Sequence, residues 1–585
     1  MDDLAPKGAI VKSLMSLMQC VLIDMGTLCQ VSTSLDLKTI EARVKDEGLS
    51  FMTISLANFG NDFQVALDRG HVSSDLFRGF AFQAGLPRFL GGFLCKIFDR
   101  ASGRLLKDPD LDSIFATRQI TLMWNKIELE CAPQRVKRAF DRYLECEKEL
   151  HNVHISDDRA ARFHRISVML FGDLFSSTDT RVYRSELVPR HGPGSTADKL
   201  VGNHKWSNRL WTRRLDEVFP HDHYLVTSWR YISDLSDVVI LEPEAEIPVS
   251  VITVPKTLKT PRIIAIEPTH MQYMQQAIRE DLYSGVELNP LLNTMIGFRD
   301  QDPNRLLADI GSIDGSLATL DLSEASDRVL NSHVELLLRN HPHLRAAVAA
   351  TRSSKADVNG EIIHLVKYAS MGSALCFPFE AFVFLTLVFL GIEDGLKRQL
   401  KRSDIMSLRH QVRVFGDDII VPVDYACHVI ESLELFGAKV NSTKSFWTGL
   451  FRESCGKEYY SGRDVSIVKV RSLLPTSRGH VSELESTVSL RNQLYIAGLW
   501  RSVRFLDGWI ERLIPFPAVE ETSSVLGRTS YLPITGSRFG GRYQLPLVRG
   551  VVIRHPIPKS PLDGTAALLK CLITGFNPDA RHLER

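Results

Sequence analysis

The stretch Val412-Arg413-Val414-Phe415-Gly416-Asp417-Asp418-Ile419-Ile420-Val421 decides how the rest of the sequence reads. Two runs rich in apolar and β-branched residues flank a Gly-Asp pair, the pattern of a β-hairpin whose tip carries the acids. An Asp beside the Gly is ordinary turn chemistry. A second Asp entering an apolar strand is different, because a buried carboxylate is costly unless a cation neutralises it. Two readings stand together at this point, a bland turn and a metal site.

Moving outward, Leu317-Ala318-Thr319-Leu320-Asp321-Leu322-Ser323-Glu324-Ala325-Ser326-Asp327 reads as a strand that delivers an acid at its C-terminal end and then turns into a helix. Open sheets place ligands at such strand ends. An N-capping Asp or Ser is the structural alternative. A calcium loop is excluded: the sixth position counted from Asp321 is Ser326 where glycine is needed, and the twelfth is Ser332 where glutamate is needed. Asp321, Asp417 and Asp418 are hard oxygen donors far apart in sequence, so only tertiary structure can gather them. Such donors suit magnesium, and a two-ion site would activate an attacking hydroxyl and stabilise a leaving pyrophosphate.

A triphosphate also needs cations. Val254-Pro255-Lys256-Thr257-Leu258-Lys259-Thr260-Pro261-Arg262 supplies three in a loop between two apolar runs, and its prolines exclude a helical charged face. A solvated basic loop is the alternative.

With these motifs in hand, the chain resembles viral RNA-dependent RNA polymerases. The basic loop with Ile264-Ala265-Ile266-Glu267-Pro268, the Asp321 to Asp327 run, Ser370-Met371-Gly372, Phe415-Gly416-Asp417-Asp418, Asn441 to Phe446 and Phe451-Arg452-Glu453-Ser454-Cys455-Gly456-Lys457 are similar to motifs F, A, B, C, D and E, in that order. The set looks most like the replicase catalytic subunit of single-stranded RNA bacteriophages, the levivirus group that includes phage Qβ. The likeness runs over about residues 250 to 465.

The resemblance implies an α+β right-hand fold with fingers, palm and thumb, the palm built on an antiparallel sheet. It implies metal binding by Asp321, Asp417 and Asp418, and nucleotide contacts by Lys256, Lys259, Arg262, Ser326, Asp327, Ser370 and Gly372. Asp327 and the Ser370–Gly372 loop would sense the ribose 2′-hydroxyl. Lys444 matches the lysine thought to protonate the leaving pyrophosphate, with Lys439 as its rival and a solvated turn lysine as the plain alternative. Two magnesium ions, or manganese, are the implied cofactors. Template and nascent RNA, nucleoside triphosphates, bacterial elongation factors Tu and Ts and a small-subunit ribosomal protein are the implied partners, in the cytoplasm of a bacterial host. Two positions depart from the pattern: Cys376 stands where Thr or Ser is usual, a weaker hydrogen-bonding group, and Phe415 stands where Tyr is usual.

The implied organisation is an N-terminal helical region with fingers over 1–250, the remaining fingers and palm over 251–480, and a thumb with a basic tail over 481–585. Residues up to about 190 read as helical, as in Gln134 to His151, where Val136, Phe140, Tyr143 and Leu144 recur at helical spacing. They carry no chemistry that can be named. The turn-rich His191 to Thr196 reads as a loop between lobes or a phosphate-contacting loop. Strands are expected at Val249 to Val254, Arg262 to Ile266, Ser316 to Leu322, Gln411 to Phe415 and Ile419 to Val423. Pro378 places a helix start at Phe377 to Phe379. The apolar run Ala381 to Ile392 is too short to span a bilayer and reads as a buried core helix.

Composition frames these motifs. The 585 residues carry 70 Lys and Arg against 69 Asp and Glu, so any phosphate-binding surface is segregated rather than global. Hydrophobic residues make up 44%, which excludes a disordered chain. The nine cysteines are scattered without a C-x-x-C pair, which fits a reducing compartment and no zinc site. The Met-Asp-Asp start and the missing cleavage pattern after Leu14 to Met25 lead one to expect no export and no membrane association. From Gly536 the tail holds Arg538, Arg542, Arg549, Arg554, Lys559, Lys570, Arg581 and Arg585 against three acids, with Phe539 and Tyr543 interleaved, as backbone-plus-stacking contact with RNA would use. A solvated face is the alternative. A reverse transcriptase is the nearest rival activity, and Asp327 argues against it because those enzymes guard the sugar with a bulky aromatic. A non-catalytic RNA-binding scaffold is the rival from another class.

Overall fold

The computed structural model describes residues 7–534, 538–541, 546–554 and 560–575. Helix and sheet are mixed throughout. Two large cores organise the chain, and each is assembled from segments distant in sequence.

The first core surrounds a three-stranded antiparallel sheet of Arg413–Phe415, Asp418–Pro422 and Leu317–Asp321, with Asp418–Pro422 in the centre. Its inward faces are Val, Ile, Leu and Ala side chains, which suit a pleated buried surface. The helices Cys376–Leu396 and Val423–Leu435 pack on each other and on this sheet. Pro378 lies in the first turn of its helix, where its missing N–H costs nothing. That helix is longer than the apolar run inside it: Cys376–Leu396 and Val11–Cys29 are both long and apolar enough to cross a membrane, and 94% of the Cys376–Leu396 window is buried in the protein.

A second, four-stranded sheet runs in the order Arg262–Ile266, Val249–Val254, Lys355–Val358, Glu361–His364. Its central pair, Val249–Val254 with Lys355–Val358, is parallel, so the sheets are not antiparallel throughout. The five strands expected from sequence form within a residue or two of their predicted ends.

The second core joins helices Lys7–Cys29, Leu56–Arg69 and Leu111–Leu122 to residues 446–474 and to helices Val481–Ile496 and Trp500–Glu511. Asp24, on the first helix, accepts hydrogen bonds from the Arg501 and Ser502 N–H groups at the start of the last one, at 3.0 and 2.9 Å. The helix Gly564–Gly575 returns to the first core, where Lys570 donates to Asn203 Oδ1 at 2.7 Å. Both cores therefore cross the boundaries at 250 and 480.

Two further helices brace the site. Pro133–His151 begins with Pro at its first position, and Asp157–Tyr183 is capped by Ser156, whose Oγ accepts from the Arg159 N–H. The His191–Thr196 turn is held by the buried Lys205, whose Nζ donates to the carbonyls of Gly192 and Gly194.

In the basic tail, Arg538–Phe539 pairs with Pro546–Leu547, and Phe539, Arg549 and Arg554 are exposed. Arg542, Tyr543, Lys559, Arg581 and Arg585 lie outside the described residues.

Candidate active site

Gly416 and Asp417 form the two-residue turn between paired Phe415 and Asp418. Gly416 has φ +60, and a Cβ there would meet Phe377 Cε2 at 2.4 Å, so both the turn and the packing demand glycine. Asp417 is exposed at the tip, and Asp418 opens the central strand.

Asp418 is directly opposite Asp321 in the register. Like charges so placed repel. Burial first, then Glu453, Asp417 and Asp321, push the Asp418 carboxyl up to about 8, although the Cys455 N–H donates to its Oδ2 at 3.1 Å. Asp321 is also raised, by burial and by Asp417, against the pull of Lys444.

Residues 440–446 line the outer edge of the Asp321 strand. Thr319 and Phe446 exchange backbone hydrogen bonds at 3.0 and 2.8 Å. Asn441 donates from its backbone N–H to the Asp321 carbonyl and from Nδ2 to Asp321 Oδ2, both at 2.8 Å. Ser445 Oγ accepts from the Asp321 N–H at 3.0 Å. Lys444 Nζ lies 3.7 Å from Asp321 Oδ1 with its side chain half exposed. Burial works against its charge, but Glu453, Asp321, Asp417 and Asp418 outweigh that and hold the ammonium above the ordinary lysine range. Lys439 is exposed and makes no side-chain ion pair among the described residues, whereas Lys444 lies beside Asp321.

The basic loop reaches the same place. Lys256 is pushed down by desolvation and by Arg262 and Lys444, while Asp417 and Asp321 pull it up. Lys126, from just beyond the Leu111–Leu122 helix, joins them: burial first, then Lys256, Lys469, Lys444 and Arg262, lower it to about 8. This is a cation cluster against a carboxylate cluster. Lys259 sits inside a turn closed by Thr257 Oγ1 and Thr260 and makes no ion pair among the described residues.

The third group lies beyond Asp321. Ser326 and Asp327 fall in the short helical turn Ala325–Arg328. Ser370 Oγ donates to Asp327 Oδ1 at 2.8 Å, and Lys367 Nζ lies 3.2 Å from the same oxygen. Ser326 makes no side-chain hydrogen bond among the described residues. Gly372, at φ +132, lies so close to the Arg262–Ile266 strand that a Cβ would meet the Ala265 carbonyl oxygen at 2.0 Å. The Ala265 N–H donates to the Met371 carbonyl at 2.9 Å, tying this loop to the basic one. Cys376 is buried in the first turn of its helix.

Among the described residues no group of three or more His, Cys, Asp or Glu side chains is arranged to hold a metal ion. The three aspartates are gathered without forming a ready-made cage. The donor set nonetheless fits magnesium, which is normally held by one or two carboxylates plus substrate phosphates. A cation there would offset the burial and mutual repulsion that raise the Asp418 and Asp321 carboxyls.

Sequence reasoning missed several of these residues. Glu453 was visible within motif E, but its approach to Asp418 was not. Glu380, on the core helix, is buried beside Asp417 and Asp327, and burial pushes its carboxyl well up. Lys126, Glu147 and Lys367 carry no local signal, and Tyr143 carries only that of the apolar face of a helix.

The chain is 32% identical over 272 residues to the RNA-directed RNA polymerase beta chain of Enterobacteria phage fr, covering 45% of each chain. It is 36% identical over 255 residues to the RNA-directed RNA polymerase subunit beta of Qbeta virus (strain MX1), covering 43% of this chain and 39% of that one. Each match thus spans less than half the length of the relative. The solved RNA-dependent RNA polymerase of a human picobirnavirus superposes with a TM-score of 0.34 at 14% identity, covering 45% of this chain and 55% of that one. The stretch 225–500, which contains the paired aspartates, Lys256, Lys444 and Asp327, matches the RNA replicase, beta-chain family, and this chain is thus similar to the RNA-directed RNA polymerase beta chains of Enterobacteria phage fr and Qbeta virus.

Proposed function

We propose that the protein is an RNA-templated RNA polymerase that copies a single-stranded RNA phage genome, starting without a primer. The observation that carries this reading is the Asp321–Asp418 cross-strand pair with Lys444 and Lys256 beside it. Carboxylates for a divalent ion and cations for a polyphosphate meet at one place, as nucleotidyl transfer requires.

Asp321, Asp417 and Asp418 would hold magnesium, two ions in the full reading, which when bound supplies charge stabilisation for the attacking and leaving oxygens. Lys256 and Arg262, with Lys259 at the far end of the loop, bind and orient the triphosphate. Lys444 keeps its proton in the resting site, held there by the surrounding carboxylates, and is the donor to the leaving pyrophosphate. Asp327, with Ser326 and the Ser370–Gly372 loop, reads the sugar. Asn441 and Ser445 orient Asp321.

In this reading the sheet bearing the aspartates is the palm of a right hand. Residues 1–250 and the four-stranded sheet contribute fingers, 251–480 the remainder with the palm, and 481–585 the thumb and basic tail. By resemblance, host elongation factors Tu and Ts and a small-subunit ribosomal protein complete the enzyme in the bacterial cytoplasm.

The test is incorporation of labelled nucleotides on a short C-rich RNA template with magnesium, with and without bacterial lysate. Ribonucleotide incorporation that is lost in Asp417→Asn and on chelation of magnesium supports the proposal. Incorporation of deoxyribonucleotides alone would favour a reverse transcriptase, and none by folded, RNA-bound protein would favour a scaffold.

A further inference from the structure

Lys367 is fully buried, its side chain 0% exposed, 3.3 Å from Glu147 Oε1 and 3.2 Å from Asp327 Oδ1. Its ammonium also stands 3.5 Å from the centroid of the Tyr143 ring. The Tyr143 hydroxyl is 3.1 Å from Ser370 Oγ, which donates to that same Asp327 oxygen at 2.8 Å. Burial works against the charge on Lys367, but Asp327, Tyr143 and Glu147 outweigh it and hold the ammonium above the ordinary lysine range.

Two donors thus converge on one oxygen of one carboxylate. Both donors go to Oδ1, no hydrogen bond to Asp327 Oδ2 is formed among the described residues, and the side chain as a whole is 19% exposed. A carboxylate oxygen only accepts, so its ligand must donate. With Oδ1 pinned from two sides, the direction in which Oδ2 can accept is set by the pins.

The bracing extends along the Pro133–His151 helix. Arg142 donates to Glu324 at 2.7 and 3.0 Å, Glu149 accepts from Arg328 at 2.5 Å, and Glu147 Oε2 accepts from the Val366 N–H at 2.9 Å. A buried cation of this kind is a poor source of stability compared with apolar packing. What it supplies here is a fixed carboxylate in the Ala325–Arg328 turn that follows the Asp321 strand.

We propose that Lys367 and Tyr143 are positioning residues that set the ribose selectivity of the site by fixing Asp327 as the acceptor for a sugar hydroxyl. This rests on the polymerase reading and deepens it. The helix that bears Tyr143 lies before the stretch that matches the replicase family, so selectivity is written partly in a segment that family match does not cover.

The test measures kcat/KM for a ribonucleoside triphosphate and for its 2′-deoxy counterpart, using the full chain with RNA template, magnesium and bacterial lysate. Tyr143→Phe keeps the ring under the ammonium and removes only the hydroxyl, and it lowers the ribo-to-deoxy ratio about fivefold. Lys367→Met lowers the ratio about tenfold or more, and Lys367→Arg restores part of it. Equal losses for both triphosphates in Tyr143→Phe and Lys367→Met, with the ratio unchanged, would reduce the cluster to a structural role and overturn the inference. If Lys367→Met does not fold, Tyr143→Phe decides alone. No incorporation of either triphosphate by the unaltered chain would sink the polymerase reading and this inference with it.

Discussion

Asn441 holds Asp321 at two points at once, from its backbone N–H to the Asp321 carbonyl and from its side-chain amide to Asp321 Oδ2, both at 2.8 Å. One residue thereby fixes both the strand end and the orientation of the carboxylate on it. Asn441→Ala leaves the backbone bond and removes the side-chain bond to Asp321, together with the Oδ1 that accepts from the Thr443 N–H and hydroxyl. The expected outcome is a folded protein whose nucleotide incorporation falls about 10- to 100-fold, the usual cost of losing a group that orients a metal-binding side chain. Activity titrated against magnesium should recover at higher concentrations if orientation is the cause.

Lys126 faces four other cations and is held at about 8. Its folded pKa lies below the free lysine value of 10.5, so the unfolded chain binds more protons between those values and the penalty on folding is fully present below pH 8. Lys126→Met should therefore raise the melting temperature at pH 7, and the gain should shrink as pH rises from 8 toward 10.5. The same variant should raise KM for the triphosphate by about tenfold, since one charge-assisted contact is lost. A gain in stability with a loss of substrate binding would identify Lys126 as a group kept for its ligand.

His333 is buried between Phe163 and Phe436, and its Nδ1 accepts from the Leu330 N–H at 3.3 Å. Desolvation lowers it to about 3. Because the folded value is depressed, stability is intact above the free histidine pKa of about 6.5 and is lost as pH falls below it, until the folded value is reached. His333→Gln keeps an acceptor at the position. Denaturant unfolding between pH 6 and 4 should then show a pH slope smaller by about 1.4 kcal/mol per unit, one proton's worth.

Gly372 combines φ +132 with a Cβ position 2.0 Å from the Ala265 carbonyl oxygen. Gly372→Ala must push the loop off the Arg262–Ile266 strand, at a cost of about 2 kcal/mol or more. Incorporation should be nearly abolished, and the Ala265 amide, which donates to Met371, should lose hydrogen-exchange protection.

The residue pattern alone determined the local features that carry the reading. The Gly416-Asp417 turn, the acid at the end of the Leu317–Asp321 strand and the proline-punctuated basic loop all follow from turn chemistry and strand alternation, which act over a few neighbouring residues. Tertiary structure alone decided that Asp418 faces Asp321 in register, that Lys444 rather than Lys439 lies beside them, and that Lys126, Tyr143, Glu147 and Lys367 belong to the site at all. Lys367 and Glu147 are 220 residues apart along the chain, with eight α-helices and seven strands between them, yet they sit 3.3 Å apart in the fold. Alternation and turn propensity tell which face a residue occupies. Which distant face is brought against it depends on how two cores pack, and that is set by hundreds of apolar contacts, none of which is specific on its own.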